Sequence, residues 1–392
     1  MNKLILITNP GSASRKYALY SNSKPLCALH FEYEKSRIIC TLKDSATGKS
    51  KSLHPEVDDL GYTVPALRKI LEAEKYITPE NPLSCVVARV VAPGEYFTSD
   101  HLVDDECLAQ LETAKGKAPL HVPVVAAEIN HFRHSFSQVP IITVSDSAFH
   151  APRPTLMKYY PVDTELADKA EIKRYGYHGL SLGYITERMK QKDILPEKLI
   201  VCHIGSGSSV TAVFNGTSMD TSMGYSPLEG LMMSTRSGSI DLAAALAIKH
   251  ELNLSDEELE KYLNKKSGLL GVSGSSDDMR EILQKRDEGD PRATFAHALY
   301  IYRIQSLIGH MSASLGGVDA IVFTATIGER SSFVRHSVMQ KLAYLGFSLD
   351  ATKNDADLPA LANIATPDSK PIYVIKTDET AEMIRRATPL IP

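Results

Sequence analysis

The chain opens on a short apolar run, Leu4–Thr8, followed by the small-residue turn Asn9-Pro10-Gly11-Ser12-Ala13-Ser14. Weak alternation over Lys16–Tyr20 comes next, then an apolar stretch over Leu26–Tyr33 that Arg37–Leu42 continues. Alternating and short apolar runs predict strands, so three are expected in the first forty-odd residues. Val64, Leu67, Ile70 and Leu71 recur at helical spacing and predict a helix over about Val64–Lys75. Leu83–Val91 is a largely apolar run broken by Ser84 and Arg89, the pattern of a strand covered on both faces, and Val139–Val144 is a second apolar strand.

The opening pattern returns near the middle. Lys198–His203 is apolar, Gly205-Ser206-Gly207-Ser208-Ser209 is a turn of small residues, and Val210–Phe214 leads back to a hairpin signal at Asn215-Gly216. LILITNPGSASRKYAL from Leu4 and LIVCHIGSGSSVTAVF from Leu199 align strand for strand, an offset of about 195 residues and half of the 392-residue chain. An internal duplication is expected, each half a mixed sheet bearing helices. Helices are predicted over Ile240–His250, Asp256–Lys265 with Ser255 as N-cap, Arg292–Leu315, Ser332–Leu345 and Asp378–Ala387. Strands are predicted over Val318–Thr324 and Pro371–Lys376, with a glycine turn at Ile327-Gly328-Glu329. Two facing small-residue loops would floor a cleft between the halves. Backbone N–H groups in such turns form nests for anions, so a phosphate ligand is expected there.

Composition narrows the partners more than the fold. Apolar residues are 43% of the chain and charged residues 23%, with a net charge of −4. No basic stripe runs along the chain, which argues against nucleic acid or an anionic membrane as partner. No apolar run approaches the roughly 18 to 20 residues of a membrane span, and a cytoplasmic protein is expected. The five cysteines are scattered without metal-ligand spacing and are expected to be buried reduced thiols.

Three segments carry chemistry rather than periodicity. Asp220–Asp241, DTSMGYSPLEGLMMSTRSGSID, has neither helix nor strand period, and a 22-residue segment of that kind is usually a functional loop. Lys173–Gly179 sets Arg174, Tyr175, Tyr177 and His178 around two glycines, and Asp146 ends an apolar strand, where α/β sites collect their chemistry.

These segments resemble acetate kinases nearly end to end. The opening loop is similar to the family's N-x-G-S-x-S-x-K-Y, and Asp220–Asp241 to its long signature D-T-S-M-G-[FY]-[ST]-P-L-E-G-L-M-M-x-T-R-S-G-x-[IL]-D. SGLLGVSGSSDDMR from Ser267, FTATIGE from Phe323 and Thr377-Asp378-Glu379 resemble three further family motifs. The resemblance implies an α/β fold of two ribonuclease-H-like domains of the actin-like ATPase type. Domains are expected at 1–148, completed by a terminal helix at about 378–392, and at 149–377. It also implies a homodimer, ATP as phosphate donor, acetate as acceptor, and Mg²⁺ (or Mn²⁺) as cofactor.

Moving a phosphoryl group onto a carboxylate brings two anions together, so the site must neutralise charge and align donor with acceptor. Arg89, closing an apolar strand, and Arg236, in the signature loop, suit bidentate binding of carboxylate or phosphate. By resemblance, His178 would stabilise charge on the transferring group and Asp146 would orient the attacking groups. Asn9 and Glu379 would hold the metal ion. Val91, Leu120, Tyr177 and Pro227 match the small apolar pocket for the acid. Lys16, Ser12, Ser14 and the loop His203, Ile204, Gly205, Ser206 and Gly207 would contact donor phosphates. Asp278, Met279 and Arg280 would touch the nucleoside, together with Thr326, Ile327, Gly328, Glu329 and Arg330. His150 is expected to be structural.

The chain departs from the family pattern at Ala13, Ala92, Pro93, Tyr177, Ser206, Ser239, Thr326 and Arg330. Thr326 and Arg330 add bulk and charge where adenine would rest on glycine backbone. A pyrophosphate-dependent acetate kinase, a propionate kinase, and a sensor of nucleotide or acyl phosphate without turnover are the alternative readings.

Overall fold

The computed structural model describes residues 3–11, 14–22, 24–35, 37–118 and 122–392. Ser12 and Leu120 of the expected site, and Ala13 of the opening turn, lie outside the described residues. Two units divide the chain: Met1–Ala148 with Asp378–Pro392, and Phe149–Thr377.

Among the described residues the first unit holds eight strands: β1 (Leu4–Pro10), β2 (Ser14–Ser21), β3 (Lys24–Glu34), β4 (Arg37–Asp44), β5 (Ser50–Leu53), β6 (Cys85–Val90), β7 (His101–Leu102) and β8 (Ile141–Ser145). The second holds six: β9 (Lys198–Ile204), β10 (Ser208–Phe214), β11 (Thr217–Thr221), β12 (Ala320–Thr324), β13 (Leu361–Asn363) and β14 (Ile372–Ile375). The sheet orders are β5-β4-β3-β2-β1-β6-β8-β7 and β11-β10-β9-β12-β14-β13. Each contains one five-stranded motif, β3-β2-β1-β6-β8 in the first and β11-β10-β9-β12-β14 in the second. In both, the central strand pairs antiparallel with its hairpin partner (Leu6↔Leu19; Ile200↔Ala212) and parallel with its other neighbour (Ile7↔Val87; Val201↔Val322). This duplicated ribonuclease-H-like order is the actin-like ATPase fold expected from the sequence.

Burial explains the patterning. β6, β8, β9 and β12 are mostly apolar because helices cover both faces of a parallel core. In the first unit Thr63–Ala73 and Val122–Ser135 contribute Val64, Leu67, Leu71, Ile129 and Phe132 to the core. In the second, the helix Pro291–Leu315 begins on an Asp290 cap with Pro at its first position and stops at left-handed Gly316 (φ 62°). Its Ala296, Tyr300, Ile304 and Ile308 pack with Ile200, Val210 and Ile321, while Leu182, Ile185 and Met189 of Gly179–Gln191 join Leu199, Val201 and Val322 in a second cluster.

Several expected elements shift. The stretch Leu26–Leu42 is two antiparallel strands, reversing between the paired residues Glu34 and Arg37 with Lys35 at φ 45°. No Asn-Gly or Asp-Gly signal marks that reversal. Ser332–Leu345 is shorter than expected, a helix Ser332–Met339 followed by one turn at Ala343–Leu345. The glycine turn expected at Ile327–Glu329 is instead a short helix, Ala325–Arg330. Its left-handed residue is Ala325 (φ 66°), so Thr326 carries no such burden. The five cysteines are buried and free, and burial pushes the Cys27, Cys40 and Cys85 thiols up to about 12. Among the described residues no helix is long and apolar enough to cross a membrane.

Candidate active site

In the first unit, strand ends gather three charged groups. Arg89 lies next to last in β6, opposite Val144 of β8, and Asp146 follows directly after β8. Arg89 Nη2 donates to Asp146 Oδ2 at 3.0 Å and Nη1 donates to Glu379 Oε2 at 2.9 Å. Glu379 opens the terminal helix Glu379–Ala387, whose Asp378 cap accepts from the Ala381 N–H. Two carboxylates around one guanidinium leave a local formal charge of −1. Burial, helped by Asp146 and Asp378 and opposed by Arg89, raises the Glu379 carboxyl above its usual 4.5. Burial alone would lower the Arg89 guanidinium, but Asp146 and Glu379 hold it up. Arg89 Nε is buried with no hydrogen-bond partner, an unused donor beside the pair.

Two residues that sequence reasoning missed hold this cluster in place. Asp100 accepts the Ser145 N–H at 2.9 Å and Arg386 Nε at 2.9 Å, and Arg386 also donates to the Ser145 carbonyl. The terminal helix is thereby tied to the residue before Asp146. A second support lies under the opening turn. Arg15, only 6% exposed, donates to the Gly11 and Ser14 carbonyls and pairs with Glu128 at 3.4 Å, which also accepts from Thr8 Oγ1. Lys16 is exposed on the other face of β2, opposite Asn9 in the ladder. The adjacent basic residues alternate sides, as a strand requires.

The second unit builds a different corner. The β9–β10 turn is closed by the Gly205 N–H on the Gly207 carbonyl and by Ser208 Oγ on the Gly205 carbonyl. A Cβ added at Gly207 would lie 3.3 Å from His178 Nε2 and 3.4 Å from Arg236 Nη1, so both side chains converge on bare backbone. His178, at φ 61°, turns the chain into the helix Gly179–Gln191. Its Nδ1 meets Ser209 Oγ at 2.9 Å and its ring stacks on His203, centroids 4.0 Å apart. His203 Nδ1 is in turn bonded to Ser181 Oγ at 2.9 Å. Arg236 Nη1 makes only long contacts, 3.4 Å to the Pro227 carbonyl and 3.6 Å to Met233 Sδ. Among the described residues it has no carboxylate partner, and burial lowers its guanidinium from the usual value. A half-buried cation without a counterion, beside an imidazole and a glycine turn, can receive an anion.

The signature loop is pinned around this corner. Asp220 accepts from the Thr221 N–H, His310 Nε2 and Ser314 Oγ, joining the loop to the long helix. The Ser234 N–H donates to the Ser206 carbonyl, and Arg174 Nη2 donates to the Thr221 carbonyl. Tyr177 is buried and donates its hydroxyl to the Tyr225 carbonyl at 2.6 Å. His150 is buried between Ser218 Oγ and the Tyr177 carbonyl, a structural position.

A cavity of about 470 Å³ opens beside the turn, lined by Ser206, Asp278, Met279, Arg280, Thr326, Ile327 and Arg330 among others. That is ample for a nucleoside, whose sites run from roughly 300 to 1,000 Å³. Thr326 and Arg330 therefore do not fill it. Ser234, Asp277, Leu283 and Ser331 also line it, and sequence reasoning missed them. Ala325, left-handed at a position where Cβ costs about 1 to 2 kcal/mol, is held by its N–H bond to Glu329 Oε1, which also accepts from the Thr377 N–H.

The Acetokinase family model matches residues 4–386. The chain belongs to the acetokinase family. It is 38% identical over 391 residues to an acetate kinase of Clostridium botulinum (strain Okra / Type B1), covering 98% of each chain. A solved propionate kinase from Francisella tularensis subsp. tularensis SCHU S4 superposes with a TM-score of 0.90 at 33% identity, covering 98% of each chain. The Porphyromonas gingivalis acetate kinase structure gives 0.88 at 31% identity and 99% of each. As an acetokinase-family member the chain is an enzyme, a phosphotransferase acting on a carboxyl group.

Proposed function

We propose that this protein is an acetate kinase that reversibly transfers the γ-phosphoryl group of ATP to acetate. An acetate oxygen forms a bond to phosphorus in line with the departing ADP oxygen, giving acetyl phosphate and ADP. Arg236 and His178 stabilise the equatorial oxygens of the transferring group, and the β9–β10 turn supplies backbone N–H groups to the donor phosphates. Arg89 binds acid or phosphoryl oxygens, and Asp146 holds that guanidinium in place. What carries this reading is Arg236: a half-buried, permanently charged group without a carboxylate partner among the described residues, beside His178 and Gly207. Leaving it unpaired is costly unless an anionic ligand completes the site.

The cluster around Glu379 suits an oxygen-seeking divalent ion. The carboxylates of Asp146 and Glu379 with the Arg89 guanidinium carry a local formal charge of −1, and burial, with Asp146 and Asp378 adding to it against Arg89, raises the Glu379 carboxyl. Glu379 and Asn9 would hold Mg²⁺, which neutralises phosphate charge when bound. A homodimer is part of the same reading. The helix Leu242–Glu251 is apolar yet largely in water, Leu242 being 73% and Leu246 42% exposed, and such a face asks for a second copy. Replacing Leu242 and Leu246 by Asp should turn a sedimenting dimer into a monomer, and a monomeric parent protein would remove that part of the proposal.

Trapping acyl phosphate with hydroxylamine tests the reaction, using acetate, propionate and butyrate against ATP and pyrophosphate. Acetate with ATP is expected to give the largest kcat/KM. Propionate is the second reading, favoured by the similarity to the Francisella propionate kinase structure. No hydroxamate under any pairing would end the kinase proposal and favour a sensor.

A further inference from the structure

The donor cavity contains two opposite charges that do not use each other. Among its lining residues Asp278 is already committed: it caps the helix Met279–Asp287 through the Arg280 N–H at 2.8 Å and pairs with Arg280 Nε at 3.0 Å. Arg330 and Asp277 line the same cavity, and neither side chain has a hydrogen bond or ion pair among the described residues. Asp277 is held through its backbone, whose carbonyl accepts from Ser234 Oγ at 2.8 Å. The backbone leading into Arg330 is held as well. The fully buried Arg335 donates through Nη1 to the Gly328 carbonyl at 3.0 Å and the Glu329 carbonyl at 2.9 Å, and through Nε to Asn354 at 2.8 Å. Both free ends therefore extend from fixed backbone. Leu283 and Ile327 add apolar surface on which a flat ring can rest.

A guanidinium offers donors only, and a carboxylate accepts only. Guanine presents acceptors at O6 and N7, the pair that arginine meets in bidentate fashion. Its N1–H and 2-amino group are donors matched to a carboxylate. Adenine places an amino donor where guanine has O6, so the same arginine faces donor against donor. We infer that this cavity selects a 6-oxopurine nucleotide over ATP as phosphate donor, Arg330 reading O6 and N7 and Asp277 reading the N1–H and 2-amino edge. The inference rests on the proposed nucleotide-dependent reaction, in which ATP is a donor and GTP becomes the better one.

Two measurements on the full chain test it: kcat/KM for ATP, ITP and GTP with saturating acetate, and calorimetric affinity for ADP and GDP in the absence of turnover. GTP is expected to exceed ATP roughly tenfold, the low end for a bidentate pair open to water. ITP, which lacks the 2-amino group, should fall between them. Arg330→Asn should bring the GTP-to-ATP and GDP-to-ADP ratios close to one. Arg330→Lys, keeping charge but losing the fork, should lower both ratios in part. Asp277→Asn should erase the gap between GTP and ITP. ADP binding as tightly as GDP, or ratios that Arg330→Asn does not move, would overturn the base selection and leave the kinase standing. Failure of all three nucleotides as donors would instead strike the proposed reaction itself.

Discussion

Arg89, near the end of a strand in one unit, and Arg236, in the signature loop of the other, have opposite surroundings. Arg89 is enclosed by Asp146 and Glu379 and belongs to a cluster with excess negative charge. Among the described residues Arg236 has only carbonyl and thioether contacts, and it sits with His178 beside bare glycine backbone. The difference teaches how two arginines of one chain can be kept in opposite electrostatic states. A compensated arginine is fixed by its carboxylates, which its removal would leave without their cation. An uncompensated one is kept at a cost in stability, and only a ligand repays it.

The largest effect expected from this contrast is on turnover. Arg236→Ala should lower kcat by roughly 100- to 1,000-fold, as loss of a transition-state donor does. Arg89→Ala should produce a loss of similar order, and unchanged turnover in either would reject its assigned role. The two should then separate in stability. Arg89→Ala leaves Asp146 and Glu379 buried without their cation and should cost about 3 kcal/mol in urea unfolding. Arg236→Ala removes a cation with no carboxylate partner, so its unfolding midpoint should match or exceed the parent's. Equal losses in both would show that Arg236 has a counterion in solution.

The smallest effect is in pH dependence. The native Glu379 carboxyl is raised above 4.5, so the folded state binds more protons than the unfolded state just above that pH. This carboxyl's share of stability is complete below pH 4.5 and falls as pH rises through the native value. Glu379→Gln cannot titrate, so its unfolding midpoint should lose that decline above pH 4.5. A variant whose midpoint follows the parent's across this window would place the titrating group elsewhere.

Much of the fold was legible because it rests on periodicity and repetition. The two hairpins, Leu4–Ser21 and Lys198–Phe214, share one pattern of apolar run, small turn and return strand, and both form as expected. The reversal between β3 and β4 was not legible, since Lys35-Ser36 carries no turn chemistry. The helical form of Ala325–Arg330 was hidden for a related reason. A glycine-bearing segment reads as a turn until Glu329 is seen to hold the Ala325 and Thr377 N–H groups from elsewhere in the chain.

The local alphabet of this protein, its strands, its duplicated hairpins and the residue types of its chemistry, follows from the order of amino acids alone, because those features depend on neighbours a few positions apart. Partners distant in sequence were decided by tertiary structure: Glu379 against Arg89, Arg386 against Asp100, Glu128 against Arg15, and Arg330 sharing a cavity with Asp277. Charge is long-ranged and blind to sequence separation, so which arginine is compensated and which is left for a ligand becomes visible only once the chain has folded.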